Sequence, residues 1–128
     1  MVKYLLDTDQ VIELVRENPV VEAGIEKIGL DFCAISEITL AEMSVLAAKT
    51  RIDKYWKQIS FLEEHFTIIP FKAHREYGAI RAMLEKRGTR LDDMDILIAA
   101  TALAENCTLI TGNKKHFSRI PGLNSDSF

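Results

Sequence analysis

Cysteine is nearly absent from this chain, with two in 128 residues, Cys33 and Cys107. Their separation matches no metal-ligand spacing, and both sit among apolar neighbours, so they read as small buried hydrophobes in a reducing cytosol. No apolar run approaches the ~18 residues of a membrane span. The start, Met1-Val2-Lys3-Tyr4, lacks the basic-then-apolar layout of a secretory signal, so a cytoplasmic protein without membrane attachment is expected. There is no excess of basic residues either. The formal net charge is −3, which argues against coating nucleic acid by bulk electrostatics but leaves room for an enzyme touching a few phosphates. Repeats, low-complexity segments and linkers are also missing, so residues 1–128 are expected to form a single domain.

What is present is ordinary globular composition, 48% hydrophobic and 27% charged, organised as short apolar runs alternating with helical periodicity. Strands are expected over Val2–Leu6, Phe32–Ile35, Phe66–Ile69 and Thr108–Thr111. Helices are expected from a cap at Thr8 or Asp9 to about Arg16, over Val20–Ile28 stopped by Gly29, and from Ser36 or Thr39 to about Lys49. Further helices are expected over Ile52–Glu64, Lys72–Lys86 and Asp95–Glu105, the last capped by Asp92 or Asp93, with one helical turn at Lys114–Phe117. Such alternation predicts an α/β three-layer sandwich with a short, mainly parallel central sheet. In that architecture ligands bind beyond the carboxyl ends of the strands, where Asp7 and the Thr111-Gly112-Asn113 turn would lie together.

Three acids stand in apolar settings. Asp7 closes the run Val2-Lys3-Tyr4-Leu5-Leu6, and Glu42 falls inside the apolar stripe of its helix. Asp95 opens Ile96-Leu97-Ile98-Ala99-Ala100-Thr101-Ala102-Leu103-Ala104, the most apolar stretch of the chain. Each has a plain alternative. Asp7 or Thr8 caps the next helix, Glu42 completes a Thr39-Leu40-Ala41-Glu42 capping box, and Asp95 meets the helix dipole. Asp92 and Asp93 already satisfy that dipole, and one assumption accounts for all three acids: a cage of oxygen ligands for a divalent cation such as Mg2+ or Mn2+, suited to hydrolytic chemistry.

Four blocks then carry a resemblance: Leu5-Leu6-Asp7-Thr8-Asp9; Ile38-Thr39-Leu40-Ala41-Glu42-Met43; Asp93-Met94-Asp95-Ile96-Leu97-Ile98-Ala99-Ala100-Thr101-Ala102-Leu103; and Leu109 through Leu123. In this order and spacing the chain resembles a PIN domain, specifically a VapC-type toxin ribonuclease of a type II toxin–antitoxin system. The resemblance implies Mg2+-dependent RNA cleavage, with Mn2+ as substitute, homodimerisation and a cognate antitoxin. It maps metal ligation onto Asp7, Glu42 and Asp95, has Thr8 orient the first carboxylate, and places Thr111 and Asn113 in the family's final Thr-x-Asp/Asn element. Asn113 joins the catalytic set as an amide where many relatives carry a fourth acid, which favours one metal over two. Asp93 is a candidate proton acceptor. Arg90, Lys114, Lys115 and Arg119 are candidate RNA contacts, and the early helices offer a partner groove lined by Val11, Ile12, Leu14, Val15 and Leu46. His116 reads as structural.

Two other readings compete. Leu5-Leu6-Asp7-Thr8-Asp9-Gln10-Val11 also fits the start of a haloacid-dehalogenase-like phosphatase, with Asp7 as nucleophile and Asp9 as general acid; the lysine such an enzyme needs has no clear home, and Glu42 has no role. A non-catalytic PIN-like binding module would keep the fold and leave the acids without a task. A receiver-type phosphoacceptor fails because the strand ending at Ile69 runs into Pro70 with no aspartate.

Overall fold

A computed structural model describes residues Met1–Phe128. Its strands are β1 (Tyr4–Leu6), β2 (Cys33–Ser36), β3 (Thr67–Ile69), β4 (Thr108–Ile110) and β5 (Ser125–Asp126). They form one sheet in the order β3-β2-β1-β4-β5, with every pairing parallel. In register, Leu5 lies beside Ala34 and Leu109, and Leu6 beside Ile35 and Ile110.

Side chains alternate across a strand, so this register sorts the apolar residues into two cores. Leu5, Ala34 and Leu109 face α5 (His74–Lys86) and α6 (Asp93–Ala104), packing with Ile80, Leu84, Ile98, Ala99 and Ala102. Leu6, Cys33, Ile35 and Ile110 face the other way, onto Val11 of α1 (Thr8–Val15), Val21 and Ile25 of α2 (Pro19–Ile28) and Leu62 of α4 (Asp53–His65). Helices thus cover both faces of the sheet, as the three-layer expectation required. α3 (Glu37–Thr50) leaves β2 and packs against α4, α1 and α6, while the single turn α7 (Lys114–Phe117) follows β4. No helix is long and apolar enough to cross a membrane.

Local chemistry sets the boundaries. Asn18 Oδ1 accepts from Val20 N and Pro19 takes the first helical position of α2, which ends at Gly29 in a positive-φ conformation of 98°. Asp7, rather than Thr8 or Asp9, caps α1, its Oδ1 accepting from Thr8 N. Ser36, rather than Thr39, caps α3, its Oγ accepting from Ile38 N. The Thr39–Glu42 capping box therefore does not form, because Thr39 is already inside the helix, and Glu42 is released for other contacts. β2 starts one residue later than expected, since Leu30–Phe32 make a 3₁₀ turn. α5 starts at His74 and α6 at Asp93. β5 was not expected at all.

Both sheet neighbours of β1 are reached by crossovers in opposite directions, to β2 on one side and β4 on the other. That is a topological switch point, where the carboxyl ends of adjacent strands leave a crevice. Asp7 N donates to Ile110 O at 2.9 Å, so the chain enters this crevice at Asp7 and Thr111 side by side.

A carboxylate centre at the carboxyl edge of the sheet

The strand ends dictate the first contact. Asp7 is 5% exposed; its Oδ1 accepts from Thr8 N at 2.8 Å and its Oδ2 from Thr111 Oγ1 at 2.8 Å. Thr111 Oγ1 in turn accepts from Asn113 N at 2.9 Å, which bends the chain after β4 back over the edge. A second bond pins the same turn: Gly112 N donates to Asp9 Oδ2 at 3.0 Å. A Cβ at Gly112 would meet that oxygen at 2.8 Å, so the close approach needs glycine.

Glu42 arrives from α3. Thr8 Oγ1 donates to Glu42 Oε1 at 2.8 Å and lies 2.9 Å from the buried Thr39 hydroxyl. Thr8, expected to orient the first carboxylate, meets Asp7 through its backbone N–H. The Thr8 backbone serves Asp7 and its hydroxyl serves Glu42, while Thr111 is the hydroxyl that orients Asp7.

Asp95 comes from the first turn of α6, and all three acids share one field. Burial is the main cause that pushes Asp7 up to about 7; Thr111 opposes it, Asp9 adds repulsion, the Thr8 N–H opposes, and Asp95 adds more. Burial also raises Glu42, resisted by the Thr8 hydroxyl and reinforced by Asp95 and Asp92. Asp95 is raised by burial and by Asp92, is lowered by His116, and is raised again by Asp9. Costly burial of neighbouring carboxylates at a sheet edge is characteristic of functional sites, because a folded protein seldom keeps it without use.

The donors are all carboxylate oxygens, the set that suits a hard divalent cation. The expected cage is not closed, however: no three His, Cys, Asp or Glu side chains converge to hold one ion. Asp7 is bonded to Thr8 N and Thr111 Oγ1, and Glu42 to the Thr8 hydroxyl. The chemistry of the donor set fits a cation, and the side chains must turn inward to bind it.

The remaining candidates divide. Asp93 is turned away from the centre: Arg81 Nη1 donates to its Oδ1 at 2.9 Å and to Tyr77 OH at 2.8 Å, so it ties α6 to α5 and is not placed to accept a proton at the site. Its neighbour Asp92, missed in the sequence, is the acid whose charge bears on Glu42 and Asp95. Asp92 holds the N-cap position of α6 without capping it. Asn113 does not bind the acids; its Nδ2 lies 3.2 Å from His116 Nδ1. His116, read as structural, is exposed beside Asp95. Arg90, Lys115 and Arg119 are exposed, and Lys114 pairs loosely with Asp126 at 3.9 Å. Both cysteines are buried, and burial pushes Cys33 up to about 11.

A cleft of about 550 Å³ runs from Thr8 and Glu42 along Ile12, Val15, Met43, Leu46 and Tyr55. Leu14 lines the adjoining cleft and Val11 is in the core, which removes Val11 from the expected groove. The phosphatase alternative loses its support, since Asp7 is held by a hydroxyl and an amide and no lysine pairs with it.

The PIN domain family model matches residues 4–123. The chain is 33% identical to ribonuclease VapC2 of Rickettsia felis over 127 residues, covering 94% of this chain and 93% of that protein. It is 29% identical to a tRNA(fMet)-specific endonuclease VapC of Salmonella typhimurium, covering 96% of each. Among solved structures, VapBC2 of Rickettsia felis bound to a DNA fragment from its promoter superimposes with a TM-score of 0.90 at 30% identity, over 100% of this chain and 99% of that one. VapBC-1 of nontypeable Haemophilus influenzae gives 0.86 at 30% identity, over 99% and 98%.

Proposed function

This chain belongs to the PIN domain family, and from that premise we propose that it is a Mg2+-dependent endoribonuclease toxin, active also with Mn2+, that hydrolyses RNA phosphodiester bonds and is neutralised by a cognate antitoxin. The observation that carries the reading is that Asp7, Glu42 and Asp95, from segments far apart in sequence, are all raised chiefly by burial and that the charge of Asp95 bears on the other two. Relatives named as ribonucleases and solved as VapBC complexes support it.

Asp7, Glu42 and Asp95 would hold the cation. When bound, it supplies charge neutralisation at the phosphodiester and activation of water at neutral pH. The chain's own residues do the positioning. Thr111 and the Thr8 N–H fix Asp7, leaving its remaining lone pairs for ligation. The Thr8 hydroxyl holds one oxygen of Glu42 and leaves the other free. Asp92 is a further acid whose charge bears on both Glu42 and Asp95, and it is exposed, so it takes the proton role first expected of Asp93. Arg90, Lys114, Lys115 and Arg119 are exposed and supply the positive charge that meets the RNA backbone.

The antitoxin occupies the cleft from Ile12 and Val15 to Leu46, and because Glu42 lines that cleft, an occupant covers part of the carboxylate centre. The toxin works in the cytoplasm as a homodimer; exposed Val45, Ile52, Trp56 and Phe61 provide apolar surface for a second copy. The test is to incubate total RNA with Mg2+ and either wild type or Asp7→Ala and to map the new ends. Discrete ends in wild type alone are expected; identical profiles would remove the nuclease assignment.

A further inference from the structure

His116 lies at the rim of the carboxylate centre, and a hydrogen-bond chain connects it to the buried acid. Asp7 accepts from Thr111 Oγ1, Thr111 Oγ1 accepts from Asn113 N, and the Asn113 side chain meets His116. The fully buried Phe117 anchors the next position, so α7 is held against the sheet edge while the imidazole remains exposed. His116 stands close enough to Asp95 to act on it electrostatically.

The contact with Asn113 is chemically directional. The Asn113 amide nitrogen can only donate, and it lies 3.2 Å from Nδ1, an arrangement in which Nδ1 accepts. The neutral ring must then carry its proton on Nε2, the nitrogen that Asn113 leaves free. Both hydroxyls of the centre are committed, Thr8 to Glu42 and Thr111 to Asp7. A phosphodiester brought to three carboxylates needs a donor directed at its oxygens, and His116, with Nε2 left free by Asn113, stands beside Asp95 to give one.

We propose that His116 is a further catalytic residue, donating its Nε2–H to an oxygen of the scissile phosphodiester, and that Asn113 is the positioning residue that sets this tautomer. The assignment rests on the ribonuclease reading. It separates Asn113 from cation binding and gives its amide a task that a carboxylate would alter, since a carboxylate facing Nδ1 calls for a proton there.

Three readouts test it: long-range nitrogen–proton NMR of the imidazole, Mn2+ calorimetry, and cleavage rates on a short RNA. Wild type should show Nε2–H, and Asn113→Asp should move the proton to Nδ1. His116→Ala should lose about 10- to 100-fold in kcat, the range for a hydrogen bond to a charged group, with Mn2+ affinity and melting temperature unchanged. His116→Gln, whose amide reaches the Nε2 position, should recover most of that loss. A wild-type Nδ1–H tautomer, a His116→Ala variant as fast as wild type, or equal losses in both variants with a lowered melting temperature would each overturn the assignment. A wild type that cleaves no RNA would overturn the ribonuclease reading itself, and this role with it.

Discussion

Replacing Asp7 with asparagine, with divalent cations removed, should stabilise the protein at alkaline pH while destroying its activity. The carboxyl is raised from 3.8 to about 7, chiefly by burial. The folded state therefore holds a proton that the unfolded chain has released, and stability falls as pH rises from about 4 to about 7. Each unit is worth ~1.4 kcal/mol, so the full window spans about 4 kcal/mol, of which about 2–3 lies between pH 5 and pH 8. Asparagine removes that dependence. It also disturbs one of the two bonds from Thr8 N and Thr111 Oγ1, since its amide nitrogen cannot accept, at a cost of about 1 kcal/mol. Urea unfolding with chelator present should thus find Asp7→Asn about 3 kcal/mol more stable than wild type at pH 8 and within about 1 kcal/mol of it at pH 5. Saturating Mn2+ should stabilise wild type and leave Asp7→Asn almost unmoved, because ligand binding to the folded state alone raises its stability. A variant less stable than wild type at pH 8, or a difference that ignores pH, would refute the reasoning.

Further outcomes follow from individual contacts. Thr8→Val removes the hydroxyl that holds Glu42 and partners Thr39. Its melting curve should show a loss of about 1 kcal/mol, and its cleavage rate should fall about tenfold through a misplaced Glu42. Asp93→Asn weakens only exposed contacts, the pair with Arg81 and the hydrogen bond from Tyr77, so unfolding should show a change under about 1 kcal/mol with RNA cleavage retained. A loss as deep as that of Asp95→Asn would restore Asp93 to the centre. Leu46→Asp places a charge in the apolar cleft beside Met43 and Ile12; co-purification with the product of the neighbouring reading frame should fail while cleavage persists, and unimpaired pairing would move the antitoxin surface elsewhere.

Much of the fold was legible because it depends on local patterns. Short apolar runs marked β1 to β4, Asn18-Pro19 and Gly29 bracketed α2, and strand–helix alternation implied the parallel sheet. β5 escaped because Ser125 and Asp126 are polar and join only through backbone pairing with Leu109 and Ile110. The start of α3 was ambiguous because Ser36 and Thr39 are both good caps, and only the turn after β2 decides between them. The acids were found as misfits in apolar surroundings, which is a local signal. Their partners were not, since the Thr8–Glu42 and Asp7–Thr111 bonds span 34 and 104 residues. Asp92 and Asp93 are indistinguishable as letters. Arg81, arriving from α5, takes Asp93 and leaves Asp92 beside the centre. The closed cage inferred from three acids is, in the folded chain, not closed, and two of its carboxylates are bonded to threonine hydroxyls.

The central claim is that these acids form a cation-dependent phosphodiester-cleaving centre. Its most direct test is one titration: the cleavage rate of a defined RNA against Mg2+ concentration, starting from chelator, for wild type and Asp95→Asn. Saturable activity that begins from zero in wild type, and a loss of at least about 100-fold in the variant, is predicted. Cleavage that proceeds in chelator, or that survives Asp95→Asn at the wild-type rate, would contradict the account.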